Sequence, residues 1–210
     1  MAAALLLAPQ ADAQRSTYWK QRATLFELLP VDSNDIVFLG NSITDGGEWA
    51  ELIGSPDVKN RGISGDVVSG VIERLGPVVD GKPAKIFLLI GVNDVSHDLT
   101  ADAIVQQYET LVKKIREASP STKLYLQSVM PVDTDFNIFK NLNGRDHKIP
   151  AVNDGIRRIA NDYGLTYIDL WPALADKRGR LDNKYTNDGL HLTGPGYKRW
   201  VEAIRPYVEE

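Results

Sequence analysis

Short apolar runs alternate with segments of helical period along most of this chain, and that alternation restricts the possible folds. Residues 36–39 and 86–90 are almost unbroken apolar runs, as is typical of strands covered on both faces. Residues 58–60, 124–130 and 166–170 are further strand candidates. Because right-handed crossovers leave few other arrangements, the pattern predicts a three-layer α/β/α sandwich around a five-stranded parallel sheet.

Four segments between and after these runs carry an apolar stripe at helical spacing: residues 68–79, 104–115, 152–163 and 197–208. Their flanking residues agree with helix boundaries. Asp66 and Thr100 are positioned as N-caps, Pro150 as a first-turn residue and Gly164 as a C-terminal stop. These segments are therefore predicted to be the helices that cover the sheet.

The chemically suggestive residues fall in the loops that leave the predicted strands. Ser42 follows the first strand, Gly65 the second and Asn93 the third, while Asp188 and His191 lie beyond the fifth. Ligands of such sheets bind outside the carboxyl ends of the strands, where these loops should meet. A serine hydroxyl becomes a useful nucleophile when an imidazole takes its proton and a carboxylate orients the imidazole. The sequence thus predicts an enzyme in which Asp188 reaches His191 across one helical turn.

Four short blocks occur in a consistent order: Gly40-Asn41-Ser42, Ser64-Gly65-Asp66, Gly91-Val92-Asn93-Asp94 and Asp188-Gly189-Leu190-His191. Each block alone is weakly specific, but together they resemble the SGNH hydrolases, also called GDSL-like lipases and acylhydrolases, over about residues 35–208. One position departs from the family motif, because Asn41 stands where the family has aspartate before the serine. Since that position is not the nucleophile, Asn41 is interpreted as a variant within the family.

The resemblance implies a flavodoxin-like SGNH hydrolase fold and a serine esterase that needs no metal or cofactor. Ser42 would attack the ester carbonyl, His191 would act as base and Asp188 would orient it. The backbone N–H groups of Ser42 and Gly65 and the side-chain amide of Asn93 would form the oxyanion hole. Short acyl esters, above all acetyl esters on carbohydrates, are the expected substrates. Lysophospholipase or thioesterase activity, or a non-catalytic relative that binds carbohydrate or acyl ligands, remain alternatives.

The sequence lacks the motifs of several other classes of functional site. Glycine-bearing loops could hold phosphate, yet the lysine of a P-loop and the spacing of a dinucleotide fingerprint are missing. Thr44 stands where the Gly-x-Ser-x-Gly elbow of α/β-hydrolases has its second glycine. The three histidines are widely separated and form no His-Glu-x-x-His motif, so no metal site is expected.

Residues 131–148 form the longest stretch without a periodic pattern, and they follow the fourth strand on the side of the predicted site. Phe136, Phe139 and Arg145 are candidate substrate-binding residues in this loop. An equally open interpretation is a solvated connection whose two phenylalanines pack onto the core. Specificity for the substrate is assigned to this loop only under the first interpretation.

Residues 1–16 are predicted to be a signal-peptide remnant with the N-terminal tail, and residues 17–210 a single domain. The apolar stretch at residues 2–8 is too short to span a bilayer, so we expect a secreted or periplasmic protein without a membrane span. A net charge of −4 without a basic run argues against nucleic-acid partners. With no cysteine, the chain has neither disulfides nor thiolate chemistry. Its oligomeric state is not indicated.

Overall fold

The computed structural model describes residues 15–210. Its centre is a sheet of five parallel strands in the order β2-β1-β3-β4-β5. The strands are β1 (Ile36–Gly40), β2 (Val58–Gly62), β3 (Lys85–Leu89), β4 (Lys123–Gln127) and β5 (Thr166–Ile168). All five predicted strands are confirmed, and the order is that of a flavodoxin-like sheet.

Helices cover both faces of the sheet, which confirms the predicted three-layer α/β/α sandwich. They are α1 (Thr17–Leu28), α2 (Ser42–Asp45), α3 (Trp49–Ile53), α4 (Val68–Glu73), α5 (Gly76–Val79), α6 (Val92–Ser96), α7 (Ala101–Ala118), α8 (Ile149–Tyr163), α9 (Trp171–Leu174) and α10 (Gly194–Glu209). Helices α4, α7 and α8 pack side by side in one layer, whereas α10 packs with α3 and α9 in the other.

A column of aromatic rings fills the core beneath the α3–α10 layer. Phe38, Phe87 and Tyr125 occupy paired positions on β1, β3 and β4, and their rings stack with centroids 5.0 and 4.6 Å apart. Trp49 of α3 stacks on Phe38 at 3.9 Å and meets Trp200 of α10 edge-on at 4.6 Å. Such pairs add about 0.5–1.5 kcal/mol each beyond the burial of their area. The column therefore holds β1, which leads directly into Ser42, against the helical layer.

The N-terminal helix α1 was not predicted from the sequence. Ser16 caps it by accepting a hydrogen bond from the Trp19 amide at 3.1 Å. Trp19, Ala23 and Phe26 are its buried residues, at positions i, i+4 and i+7, and they cluster with Ile63 just beyond β2. Helix α1 therefore lies beside the loop that follows β2.

Two helix predictions need correction. The apolar stripe over residues 68–79 belongs to two short helices, α4 and α5, that are separated at Arg74 and Leu75. Asp66 is not the N-cap of α4, because its carboxylate is paired with Arg74; the Val68 amide instead donates to the Asp94 carboxylate at 3.2 Å. The other boundary predictions are confirmed, since Thr100 caps α7, Pro150 lies in the first turn of α8 and Gly164 ends it.

The predicted signal-peptide segment, residues 1–16, lies outside the described residues except for Arg15 and Ser16. Export and the domain boundary at residue 17 therefore stay predictions. Among residues 15–210, no helix is both long enough and apolar enough to cross a lipid bilayer.

Candidate active site

Ser42, His191 and Asp188 form a continuous hydrogen-bonded row. Ser42 begins α2 directly beyond β1, and its Oγ lies 2.9 Å from His191 Nε2, a residue 149 positions away in sequence. His191 Nδ1 lies 2.7 Å from Asp188 Oδ2. The row is half-buried, with 34% of the His191 side chain and 21% of the Asp188 side chain exposed. This arrangement allows the imidazole to take a proton from the hydroxyl while a carboxylate fixes its other nitrogen.

The Asp188–His191 contact does not depend on a helix, so the reason given for it from sequence was wrong. Asp188 Oδ1 accepts from the backbone amides of Leu190 at 2.9 Å and His191 at 2.7 Å, which is an Asx-type turn. The Thr186 hydroxyl accepts from the Gly189 amide at 2.9 Å and fixes the start of this turn. The two carboxylate oxygens thus have different partners: Oδ1 bonds the backbone amides of the turn, and Oδ2 contacts the imidazole.

These amides also explain the charge of Asp188. Burial raises the pKa of this carboxyl, but the Leu190 and His191 amides and the imidazole outweigh burial, so its pKa lies below the ordinary value. Asp188 is therefore ionised at neutral pH, and the ionised carboxylate can accept a hydrogen bond from His191 Nδ1–H.

Gly189 stands between the acid and the base in a left-handed backbone conformation, with φ +84°. A Cβ at this position would collide with the Asp133 carbonyl oxygen, and the Asp133 amide donates to the Gly189 carbonyl at 2.8 Å. The buried Asp133 carboxylate is paired with Arg178 and Arg180. The loop after β4 therefore supports the turn that holds His191, a contact that no sequence pattern indicated.

The three predicted oxyanion donors surround the same edge of the sheet. Within residues 15–210, the backbone amides of Ser42 and Gly65 donate to no protein acceptor. Asn93 uses one side-chain hydrogen on the Asp66 carbonyl at 2.8 Å, which leaves the other available. Three N–H donors are thus free to bind an oxygen atom that develops negative charge.

Gly65 has φ +80°, and no protein atom lies within 4 Å of the place where its Cβ would be. A glycine at this position would let the backbone approach the reacting oxygen without a Cβ in the way. The backbone conformation gives a more direct reason, because residues with a side chain rarely adopt it. Asn41, where the family motif has aspartate, accepts from the Ile43 amide at 3.0 Å and caps α2. An aspartate carboxylate could accept the same bond.

The loop of residues 131–148 is folded into three short 3-10 turns: Thr134–Phe136, Lys140–Leu142 and Asp146–Lys148. The Phe139 ring lies edge-on to the His191 ring with centroids 5.2 Å apart, and Phe136 lies against Gly189. Arg145 donates to the Ser96 carbonyl at 2.6 Å and pairs with Asp98, so its contacts are with the segment that follows Asn93. Of the three candidate substrate residues, Phe139 thus has the most direct contact with the site.

Asp94 is a buried acid beside Asn93. Burial raises the pKa of Asp94 to about 7, although the hydrogen bond from the Val68 amide opposes this shift. The folded protein therefore holds a proton that the unfolded chain releases near pH 4. This contribution to the free energy of unfolding is complete below about pH 4, falls as the pH rises toward 7 and is lost above it.

Asp94→Asn is expected to remove this pH dependence, because asparagine keeps an acceptor for the Val68 amide and cannot ionise. At pH 8 the variant should exceed the wild type in free energy of unfolding by about 1–4 kcal/mol, and the gain should shrink at pH 5. Urea unfolding at both pH values measures this difference. Asp154→Asn, which alters an exposed carboxylate on α8, is the control. A gain of equal size at both pH values would show that Asp94 is ionised throughout.

Comparison with known proteins agrees with the fold. The GDSL-like Lipase/Acylhydrolase family model matches residues 38–199. Platelet-activating factor acetylhydrolase IB subunit alpha2 of Rattus norvegicus is 26% identical over 204 residues, which cover 94% of this chain and 86% of the relative. A Streptococcus pneumonia structure provisionally named a platelet activating factor superposes with a TM-score of 0.84 at 28% identity, covering 91% of this chain and 92% of that one. A GDSL-like lipase from Bacteroides thetaiotaomicron gives 0.78 at 25% identity, with 91% and 97% covered.

Proposed function

Because the chain belongs to the GDSL-like lipase/acylhydrolase family of ester-hydrolysing enzymes, we propose that it is a serine-dependent carboxylic ester hydrolase for short acyl esters. The observation that carries the proposal is the row Ser42–His191–Asp188, with contacts of 2.9 and 2.7 Å. The name of the acetylhydrolase relative supports acetyl as the acyl group.

In the first half of the reaction, Ser42 Oγ attacks the ester carbonyl carbon while His191 Nε2 takes the hydroxyl proton. The carbonyl oxygen becomes an oxyanion that accepts hydrogen bonds from the Ser42 and Gly65 amides and from the free hydrogen of Asn93. His191 then gives its proton to the alkoxide as the bond to the alcohol breaks. The products are the free alcohol and an acyl group on Ser42.

In the second half, water takes the place of the alcohol. His191 removes a proton from the water as it attacks the acyl carbon, and the same donors hold the second oxyanion. The proton returns to Ser42 Oγ when the acid leaves, which restores the starting state. Ionised Asp188 stabilises the imidazolium that forms in both halves.

The alcohol is proposed to be a carbohydrate hydroxyl. A specific observation keeps lysophospholipid esters as a second candidate: Ile138 is 56% exposed and adjoins Phe139, which contacts His191. An exposed aliphatic side chain beside an aromatic ring could contact an acyl or alkyl chain. Thioester cleavage uses the same mechanism with a sulfur leaving group.

A substrate panel tests these assignments. p-Nitrophenyl esters of two to twelve carbons, acetylated sugars, a lysophospholipid and an acyl thioester are assayed with the wild type and with Ser42→Ala as the blank. We expect the highest kcat/KM for the acetyl esters, with turnover that the blank lacks. Equal rates in both proteins would instead favour a non-catalytic binding protein.

Asn93→Ala is expected to lower kcat by about 10²–10³-fold, the usual cost of removing one oxyanion donor. The substrate binds before the oxyanion forms, so KM should change little. The fold should persist, because Asn93 is only part-buried and the Asp66 carbonyl it leaves can bind water. Steady-state kinetics with p-nitrophenyl acetate measure both constants. Asn161→Ala on α8, remote from the site, is the control, and a loss below about threefold at Asn93 would remove it from the oxyanion hole.

A further inference from the structure

The Arg74 guanidinium lies in the interior where the loops that carry the proposed oxyanion donors converge. Arg74 directly follows α4, and only 3% of its side chain is exposed. Nε donates to Asp66 Oδ2 at 2.7 Å, Nη1 to the Arg61 carbonyl at 3.0 Å and Nη2 to the Gly40 carbonyl at 2.9 Å. One side chain thus joins the ends of β1 and β2 to the loop that follows β2.

Asp66 connects this guanidinium to two of the donors. Its carboxylate is fully buried and also accepts from the Trp19 indole at 3.0 Å. Its carbonyl oxygen accepts from the Asn93 side-chain amide at 2.8 Å. Asp66 is also joined to Gly65 by a peptide bond, so a displacement of Asp66 moves the Gly65 backbone and the Asn93 amide together.

The bond to Gly40 reaches the third donor. Gly40 ends β1 two residues before Ser42, and its carbonyl oxygen accepts from Arg74 and from the Ile63 amide at 3.1 Å. The strand end that precedes the Ser42 amide is therefore held by the same guanidinium that holds Asp66. The Ser42 amide is thus two residues from the Gly40 carbonyl that Arg74 bonds. The other two donors are tied to Asp66, Gly65 by the peptide bond and Asn93 by its hydrogen bond.

We infer that Arg74 is a positioning residue that acts through Asp66 and sets the geometry of the oxyanion hole. The inference rests on the proposed function, since it concerns donors that matter only if an oxyanion forms. Oxyanion donors act when they lie about 2.7–3.1 Å from the developing charge, so a small displacement lowers turnover far more than binding.

Arginine suits this position for a geometric reason. Its planar guanidinium offers five N–H donors in fixed directions, whereas a lysine ammonium is a compact charge on a flexible stem. Lysine at position 74 could keep the ion pair with Asp66, but it could not bond the Arg61 and Gly40 carbonyls in the same plane. Arg74→Lys therefore tests the position of the loops while leaving a buried positive charge in place.

Arg74→Lys is expected to lower kcat for p-nitrophenyl acetate by about 10–100-fold with KM nearly unchanged. kcat is taken per active site, counted by titration with diethyl p-nitrophenyl phosphate. The acid limb of the pH–rate profile should stay in place, because Arg74 does not contact His191 or Asp188. Lys85→Met is the control: Lys85 is a largely buried cation that donates to the Tyr207 and Val208 carbonyls of α10, and its loss should leave kcat per site unchanged.

A double-mutant cycle separates positioning from general destabilisation. If Arg74 acts through Asp66 and Asn93, Arg74→Lys should cost several-fold less kcat in an Asn93→Ala background than in the wild type. A loss that only reflected a smaller folded fraction would multiply equally in both backgrounds. Equal losses in the two backgrounds, or no loss beyond that of Lys85→Met, would overturn the inference.

Trp19→Phe provides the test if Arg74→Lys does not fold. It removes the indole hydrogen bond to Asp66 and keeps the ion pair with Arg74. We expect a smaller loss of kcat, about 3–10-fold, that again shrinks in the Asn93→Ala background. An unchanged kcat would overturn the inference. A wild type without esterase activity would overturn the proposed function as well, whereas an active wild type beside fully active variants would overturn the positioning role alone.

Discussion

Replacing Ser42 by alanine is expected to lower kcat for p-nitrophenyl acetate by about 10⁶-fold, the scale of loss when a serine hydrolase loses its nucleophile. The reason is geometric, because Ser42 Oγ is the hydroxyl that lies 2.9 Å from His191 Nε2. Without Oγ no acyl-enzyme can form, and only the slow attack of water beside the oxyanion donors remains. Stopped assays over many hours, with protein purified on fresh columns, can measure a rate this low.

Stability should be nearly unchanged in Ser42→Ala, since the N-cap of α2 is Asn41. Thermal unfolding of the variant tests this expectation. Ser33→Ala, in an exposed turn before β1, is the matched control and should retain full activity. Turnover by Ser42→Ala within tenfold of the wild type would mean that another group attacks the ester.

Asp188→Asn is expected to lower kcat by about 10⁴-fold while the fold is retained. Asparagine can place its carbonyl oxygen where Oδ1 accepts from the Leu190 and His191 amides, so the turn should survive. Its NH₂ group would then face His191 Nδ1 as a donor, which places the imidazole proton on Nε2. An Nε2–H pointing at Ser42 cannot act as a base.

Asp182→Asn is the control for this substitution. The Asp182 carboxylate also accepts from a backbone amide two residues on, that of Lys184, but it has no contact with the Ser42 row. Its kcat should match that of the wild type. If Asp188→Asn kept a tenth of the activity, the carboxylate would not be needed to orient His191, and the role of Asp188 would be confined to shaping the turn.

The sequence was sufficient to predict the strands of the sheet and the order of the loops around it. Buried strands such as 86–90 are apolar on both faces, and this property is local, so it can be recognised without knowing the neighbours. The positions of Ser42, Gly65 and Asn93 follow from the same reasoning, since each comes directly after a strand. Parallel strands then place these residues at one edge.

Helix α1 was missed because its apolar residues do not form one clear stripe. Trp19, Ala23 and Phe26 are buried, but Leu25, Leu28 and Leu29 are exposed, with Leu28 at 78%. The sequence does not distinguish the two sets, since which of them is covered depends on contact with the loop after β2. Ser16 as an N-cap was the available local signal.

Several contacts that shape the site could not be predicted because their partners are distant in sequence. Asp66 resembles an N-cap locally, yet it lies against Arg74 and Trp19, the latter 47 residues away. Asp133 supports Gly189 through backbone atoms, which no side-chain pattern reveals. Periodicity indicates elements, whereas the pairing of buried charges depends on how those elements pack.

The most direct test is to label the nucleophile with diethyl p-nitrophenyl phosphate, which phosphorylates an activated serine and stops there. Peptide mass spectrometry should find one diethylphosphoryl group, on Ser42, and its amount should rise in step with the loss of esterase activity. Labelling should slow greatly in Asp188→Asn, whose imidazole cannot take the proton. An inactivated enzyme labelled at another residue, or one that stays active while Ser42 carries the label, would contradict Ser42 as the nucleophile.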